Sequence, residues 1–313
     1  MKNRPIIIVA GQPKSIFFEI FFKTIKLRSF SSPLILIASK KELINQMEKF
    51  NFKKKLKLIN YNTLDTVKLN NKTINLIDIK CDNPKKYIYD SFNLAFRILK
   101  NNYINKLING PINKSKFLNN KFPGITEYVS KKFKIKKFGM LIYNDKLSVC
   151  PLTTHLSLKS VPKKINKKLI KEKVFLFNNF YKKFIGYKPK IGVTGLNPHC
   201  ESILKVNEDR QILAPTIKEL KNSGYSIFGP FPADTIFLKK NREKFDIILG
   251  MYHDQVLTPI KTLFEYDAIN ITLGLPFVRI SPDHGPNEKM IGKNISNPLS
   301  LIRAIEFLDK KID

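Results

Sequence analysis

The sequence predicts an α/β fold with a largely parallel sheet. Short apolar runs alternate with segments of helical periodicity along most of the chain. A hydrophobic content of 43% is ample for sizeable cores, and no internal repeat or heptad run competes with this reading. At 313 residues the chain is too long for one typical domain of about 100–150 residues, so two domains are expected.

Pro5 to Ala10 reads as a buried strand and Gly11-Gln12-Pro13 as the turn after it. Ser15 is placed to cap a helix through Phe17, Phe18, Ile20, Phe21 and Ile25. Leu34 to Ala38 is a second strand and Lys41 to Phe50 a second helix. Leu56 to Ile59 and Thr73 to Ile79 are further strands, and Lys85 to Leu99 is a helix. Lys106 to Asn109 is a strand running into Gly110-Pro111-Ile112-Asn113-Lys114.

A second unit is expected to begin near Gly124. Lys137 to Tyr143 and Leu147 to Leu152 flank Asn144-Asp145, a hairpin turn. Ile165 to Phe184 reads as a long lysine-rich helix and Lys190 to Thr194 as a strand. Asn207 to Lys221 is a helix capped by Asn207 and stopped by Asn222-Ser223-Gly224. Tyr225 to Phe228 and Phe245 to Leu249 are strands on either side of Ala233 to Leu238, and Pro298 to Leu308 closes the chain as a helix.

The formal net charge of +31 invites a nucleic-acid reading, but the distribution argues against it. Of 56 basic residues only seven are arginine, the side chain whose bidentate fork reads bases. The lysines fall in scattered doublets and triplets such as Lys53-Lys54-Lys55, and an anionic small substrate would profit from the same field. The apolar run near the N-terminus is too short for a signal-peptide core, and no window approaches the ~18 apolar residues of a membrane helix. Cys81, Cys150 and Cys200 are odd in number and widely spaced, which suits a reduced, cytoplasmic protein.

The stretch from Ile248 to Gly285 concentrates the chemistry. It holds two of the four histidines, Lys261, Asn270 and Arg279 among apolar runs. All four histidines (His155, His199, His253, His284) follow ends of expected strands. Taken singly, each reads first as a hydrogen-bonded structural residue; together they suit a divalent ion, since three imidazoles leave coordination positions open for substrate. Lys261, Asn270 and Arg279 offer a point charge, an amide donor and a bidentate guanidinium, a set suited to phosphate or carboxylate. Lys261 also reads as a solvated surface lysine. No G-x-G-x-x-G, P-loop or G-x-S-x-G motif is present.

Seven segments, in order, carry a family resemblance: NGPINK (109–114), GITEYV (124–129), TTHLSLKSVP (153–162), GLNPHCE (195–201), GPFPADTIF (229–237), MYHDQVLTPIK (251–261) and NITLGLPFVRISPDHG (270–285). With them the chain resembles the 4-hydroxythreonine-4-phosphate dehydrogenase family of pyridoxal phosphate (vitamin B6) biosynthesis, within the isocitrate/isopropylmalate-dehydrogenase-like superfamily. The resemblance implies a two-domain fold with a cleft between domains, residues 1–123 plus 276–313 forming the first domain and 124–275 the second. It implies a homodimer with the active site at the subunit interface, the second domain carrying most metal ligands and the interface. His155, His199 and His253 would be the metal ligands, one arriving from the partner subunit. Thr126, Lys261, Asn270 and Arg279 would bind substrate, and Asp234, Asp254 and His284 would support them.

The implied cofactors are a divalent ion (Zn, Mg or Co) and NAD or NADP. The implied reaction oxidises 4-phosphohydroxy-L-threonine to a β-keto acid that decarboxylates to 3-amino-2-oxopropyl phosphate. Four departures stand out. Ile125 replaces the family's usual histidine before Thr126, and residues 11–19 (GQPKSIFFE) replace a glycine-rich loop. Cys200-Glu201 is one glycine short, and Pro286-Asn287 replaces Thr-Ala. Ile125 favours a related dehydrogenase of another 4-phosphorylated hydroxy acid, of threonate or erythronate type. The altered loop favours a non-catalytic ligand-binding paralogue.

Overall fold

A computed structural model describes residues 4–101, 103–113, 122, 124–200 and 207–312. Lys114 and Glu201, which end two of the motifs quoted above, lie outside the described residues. Backbone contacts divide the chain into two units. The first is Met1–Ile125, Tyr266–Ile269 and Pro276–Asp313; the second is Thr126–Glu265 with Asn270–Leu275.

The N-terminal part alternates as its apolar pattern predicts: β1 (Ile6–Val9), α1 (Phe17–Leu27), β2 (Leu34–Ala38), α2 (Lys40–Lys49), β3 (Leu56–Leu58), β4 (Ile74–Asp78), α3 (Pro84–Lys100) and β5 (Lys106–Asn109). α1 starts one residue later than the serine signal implies. Ile16 occupies the cap, while Ser15 Oγ donates to Gln12 O at 2.7 Å and accepts from Phe17 N at 3.4 Å. The serine closes the preceding turn instead of the helix. α2 and α3 carry the expected side-chain caps, from Ser39 and Asn83.

The second unit contains α4 (Ile125–Lys132), β6 (Gly139–Tyr143), β7 (Ser148–Pro151), α5 (Lys167–Phe180), β8 (Ile191–Thr194), α6 (Ala214–Asn222), β9 (Ile227–Phe231), α7 (Ala233–Ile236), α8 (Lys239–Arg242), β10 (Ile247–Gly250) and α9 (His253–Phe264). β11 (Ile269–Leu273) begins in the first unit and continues in the second. Asn207 does cap the helical stretch before α6, accepting from Arg210 N at 3.0 Å, but that stretch opens as a π turn over Asp209–Leu213. Strand order in this unit is β11-β6-β7-β10-β8-β9. β6 and β7 form the expected antiparallel hairpin, and β7, β10, β8 and β9 run parallel to their neighbours.

The chain returns to the first unit with β12 (Val278–Pro282) and α10 (Leu299–Lys311). That unit's strands run in the order β3-β4-β2-β1-β5-β12, all parallel. β1 and β2 are buried along their whole length, as a parallel sheet covered on both faces requires. Each fully buried Ile or Leu here contributes about 1.5–3 kcal/mol relative to exposure. Among the described residues no helix is long and apolar enough to cross a membrane.

Candidate active site

Parallel strands deliver their following loops to one edge of a sheet, and that edge is where α/β proteins bind ligands. In the second unit β7, β10, β8 and β9 are consecutive and parallel. His155 follows β7, His253 opens α9 after β10, His199 follows β8, and Asp234 lies in α7 after β9. Four residues scattered over a hundred positions therefore leave the same edge of one sheet. β10 is the central strand, with β7 on one side and β8 on the other.

Neighbouring strands bring two of these imidazoles together. The His155 and His253 ring centroids lie 5.8 Å apart with their planes 38° from parallel. Each ring has a carboxylate on its Nδ1 side. Asp254 Oδ1 is 2.6 Å from His253 Nδ1, and Glu127 Oε1 is 3.7 Å from His155 Nδ1. The first is a hydrogen bond; the second is an ion-pair distance, too long for one. Glu127 also accepts from Thr154 Oγ1 at 3.2 Å, so α4 and the loop after β7 share one carboxylate. Burial pushes the Glu127 carboxyl up, but the adjacent His155, its own backbone N–H and Thr154 together hold it below the usual value.

This donor set fits a divalent ion. A carboxylate at Nδ1 fixes the tautomer and leaves Nε2 as the coordinating nitrogen, the usual arrangement around imidazole ligands. Bonds of about 2.0–2.1 Å to one ion would hold two imidazole centres roughly 5 Å apart, close to the spacing seen. His199 does not join them: among the described residues, no group of three or more His, Cys, Asp or Glu side chains is placed to hold a metal. His199 is exposed in the loop after β8.

The backbone is strained at two of these histidines and at the cysteine after His199. His155 adopts φ 48°, His199 φ 58° and Cys200 φ 60°, the left-handed region. Non-glycine residues held there cost about 1–3 kcal/mol each, and such outliers concentrate at ligand sites. The loops are stitched at the peptide of Met251: Thr153 donates to Met251 O from Oγ1 at 2.7 Å and from its backbone N at 3.3 Å. Gly250 is required just before it, because a Cβ there would run into the Val256 side chain.

The remaining sequence-derived candidates divide between the units. Thr126 is buried in α4, and Lys261 lies exposed near the end of α9, with partial desolvation lowering its pKa. Asn270 sits on β11 with a buried Oδ1 that accepts no hydrogen bond. Asp234 is exposed in the first turn of α7, and Asp254 is exposed beside His253. Arg279 belongs to the first unit. It is 0% exposed on β12, with Nε and Nη2 donating to Asn109 Oδ1 at 2.8 and 2.5 Å. His284 follows β12 in the same unit. Sequence reasoning missed Glu127 and Thr153; both lie inside quoted motifs, but neither has a spacing that marks it as a partner of His155.

The two-unit α/β architecture is one shared with isocitrate/isopropylmalate-dehydrogenase-like proteins. The chain superposes with a TM-score of 0.52 on a β-decarboxylating dehydrogenase from Thermococcus kodakarensis, over 97% of this chain and 82% of that one, at 10% identity; this likeness concerns the fold alone. It superposes more fully, at TM-score 0.82 and 27% identity, on 4-hydroxythreonine-4-phosphate dehydrogenase from Klebsiella pneumoniae, covering 97% of this chain and 98% of that one. It is 38% identical to the 4-hydroxythreonine-4-phosphate dehydrogenase of Sulfurihydrogenibium sp., across 96% of this chain and 95% of the relative. The family profile described as pyridoxal phosphate biosynthetic protein PdxA matches residues 29–308. The chain belongs to the PdxA family.

Proposed function

We propose that the chain is a metal-dependent, NAD(P)-linked 4-hydroxythreonine-4-phosphate dehydrogenase. It would oxidise 4-phosphohydroxy-L-threonine to a β-keto acid, which loses CO₂ to give 3-amino-2-oxopropyl phosphate. The observation that carries this reading is the His155–His253 pair, 5.8 Å apart at the carboxyl edge of parallel strands, each with a carboxylate on its Nδ1 side. Family membership supplies the substrate class.

His155, His199 and His253 are the proposed ligands of a divalent ion, and a second copy of the chain is the proposed source of the donor that one chain does not gather. When bound, that ion supplies Lewis acidity at the substrate's secondary hydroxyl, and NAD(P)⁺ supplies the hydride acceptor. Asp254 holds the His253 tautomer through Nδ1, and Glu127 does the same for His155 at longer range. Lys261 and Asn270 are proposed to anchor the phosphorylated substrate through charge and amide contacts, with Thr126 donating a hydroxyl. Arg279 is assigned to this set by its motif; its burial against Asn109 means it contributes a fixed charge in the described arrangement. Asp234 is left a supporting role as an exposed carboxylate on the same strand edge.

Anchoring matters because reacting atoms must be held at about 3–3.5 Å for efficient transfer. The test is NADH formation with 4-phosphohydroxy-L-threonine, with and without a chelator, in the parent chain and in His253→Ala. Turnover lost on chelation and in the variant supports the reading; chelator-resistant turnover, or none at all with either nicotinamide cofactor, defeats it. Ile125 at the start of α4 favours a second reading, and turnover restricted to the amino-less 4-phosphorylated acid would select it.

A further inference from the structure

Gln255 lies in the first turn of α9, and its amide is fully committed on both ends. Oε1 accepts from Met251 N at 2.7 Å and from Thr194 Oγ1 at 2.7 Å, while Nε2 donates to Gly195 O at 2.8 Å. These three bonds fix which end of the amide is oxygen, since the Met251 N–H requires an acceptor and the Gly195 carbonyl a donor. One side chain thus joins the exit of β10 to the exit of β8.

Both junctions lead to candidate ligands. Met251 precedes His253, and its carbonyl is held by Thr153 from the loop bearing His155. Beyond Gly195, Asp209 takes over: Oδ1 accepts from Leu196 N at 2.8 Å, and Oδ2 accepts from Asn197 N at 3.1 Å and Asn197 Nδ2 at 2.7 Å. His199 follows directly, in its left-handed conformation. The span from Thr194 to Asn197 therefore has its course set by Gln255 and Asp209 before it reaches the imidazole.

We propose that Gln255 is a positioning residue for the metal centre, holding the His199 loop and the His253 helix start in one fixed relation. The proposal rests on the reading of His199 and His253 as metal ligands. Strain makes the role needed: a left-handed histidine returns to an ordinary conformation unless its surroundings over-determine it. A loop freed at Gly195 would let His199 relax, and the cation would lose a preorganised donor without any change in ligand identity.

The test uses the full chain and measures Zn²⁺ affinity by competition with a chromophoric chelator, with the visible spectrum of the Co²⁺-loaded protein as a second readout. Gln255→Met keeps the length and removes all three bonds; the expected result is about tenfold or greater loss of Zn²⁺ affinity and a changed Co²⁺ spectrum. Thr194→Val deletes one bond at a buried site and should weaken Zn²⁺ binding about two- to fivefold; it decides the matter if Gln255→Met does not fold. A Gln255→Met protein with lowered melting temperature but unchanged Zn²⁺ affinity and spectrum overturns the proposal. His199→Ala is the control: if the parent binds no stoichiometric Zn²⁺, or His199→Ala binds as the parent does, the metal reading itself falls and this proposal with it.

Discussion

Arg279 Nε donates to Asn109 Oδ1 at 2.8 Å, joining β12 to β5 with both side chains buried. The register places Arg279 beside Leu107 on parallel strands, so the guanidinium reaches along the sheet toward the carboxyl end of β5. A buried cation must keep its hydrogen-bond acceptors, because desolvating it without them is costly.

Replacing Asn109 by leucine should therefore destabilise the protein by about 2–3 kcal/mol, the cost of withdrawing an acceptor from a buried charged donor. Asn109→Asp keeps an acceptor and adds an opposite charge, and should lose much less. Denaturant midpoints of the two variants check this; equal losses would show that Asn109 acts through its own Nδ2 contact to Gly110 O.

Cys150 is fully buried in β7, and burial pushes its thiol up from 9.0 to about 12. Below 9 both folded and unfolded chains keep the proton and the group is silent. Between 9 and 12 only the unfolded chain releases it, so the native state loses stability as pH rises through that window. Cys150→Ala should show a flatter stability profile there. In native protein Cys150 should resist alkylation while the partly exposed Cys81 and Cys200 react, as mass spectrometry of labelled peptides would reveal.

Lys261 has its pKa lowered by desolvation alone. If its ammonium anchors the substrate, KM should rise with pH earlier than an ordinary lysine would allow, because the neutral amine binds a phosphate poorly. Lys261→Arg should flatten that rise, since a guanidinium keeps its proton. Lys261→Met should lower kcat/KM roughly 10- to 150-fold, about 1.5–3 kcal/mol for one charged hydrogen bond. Steady-state kinetics across alkaline pH provide the check.

Gly250 ends β10 where a Cβ would meet Val256 in the first turn of α9. Gly250→Ala should push that turn away and destabilise the protein by about 1–3 kcal/mol, the usual range for overpacking. Because His253 opens the same helix, Zn²⁺ affinity should fall as well. Intact affinity in a destabilised variant would mean that the helix start moves independently of the imidazole.

The sequence by itself determined the α/β alternation, the parallel majority of strands and the antiparallel hairpin at Asn144-Asp145, because hydrophobic period and turn chemistry act within a few residues. Through its motifs it also determined the family. It did not reveal α9 as a helix. The apolar spacing of Val256, Leu257 and Ile260 is interrupted by Pro259, and the run reads as loop until β7 and β10 are present for it to pack on. Nor did it reveal that Arg279 is wholly buried, since an arginine next to apolar residues reads alike whether its fork meets solvent or Asn109.

Only the tertiary structure decided which histidines meet. Order along the chain puts His199 between His155 and His253, whereas order across the sheet puts β10 between β7 and β8, so His253 has a histidine-bearing strand on each side and it is the His155 ring that meets it. That outcome belongs to strand pairing and the course of the loops after the strands, long-range properties that local periodicity does not encode. Likewise Gln255 became visible as a bracket only once two strand ends lay within reach of a single amide.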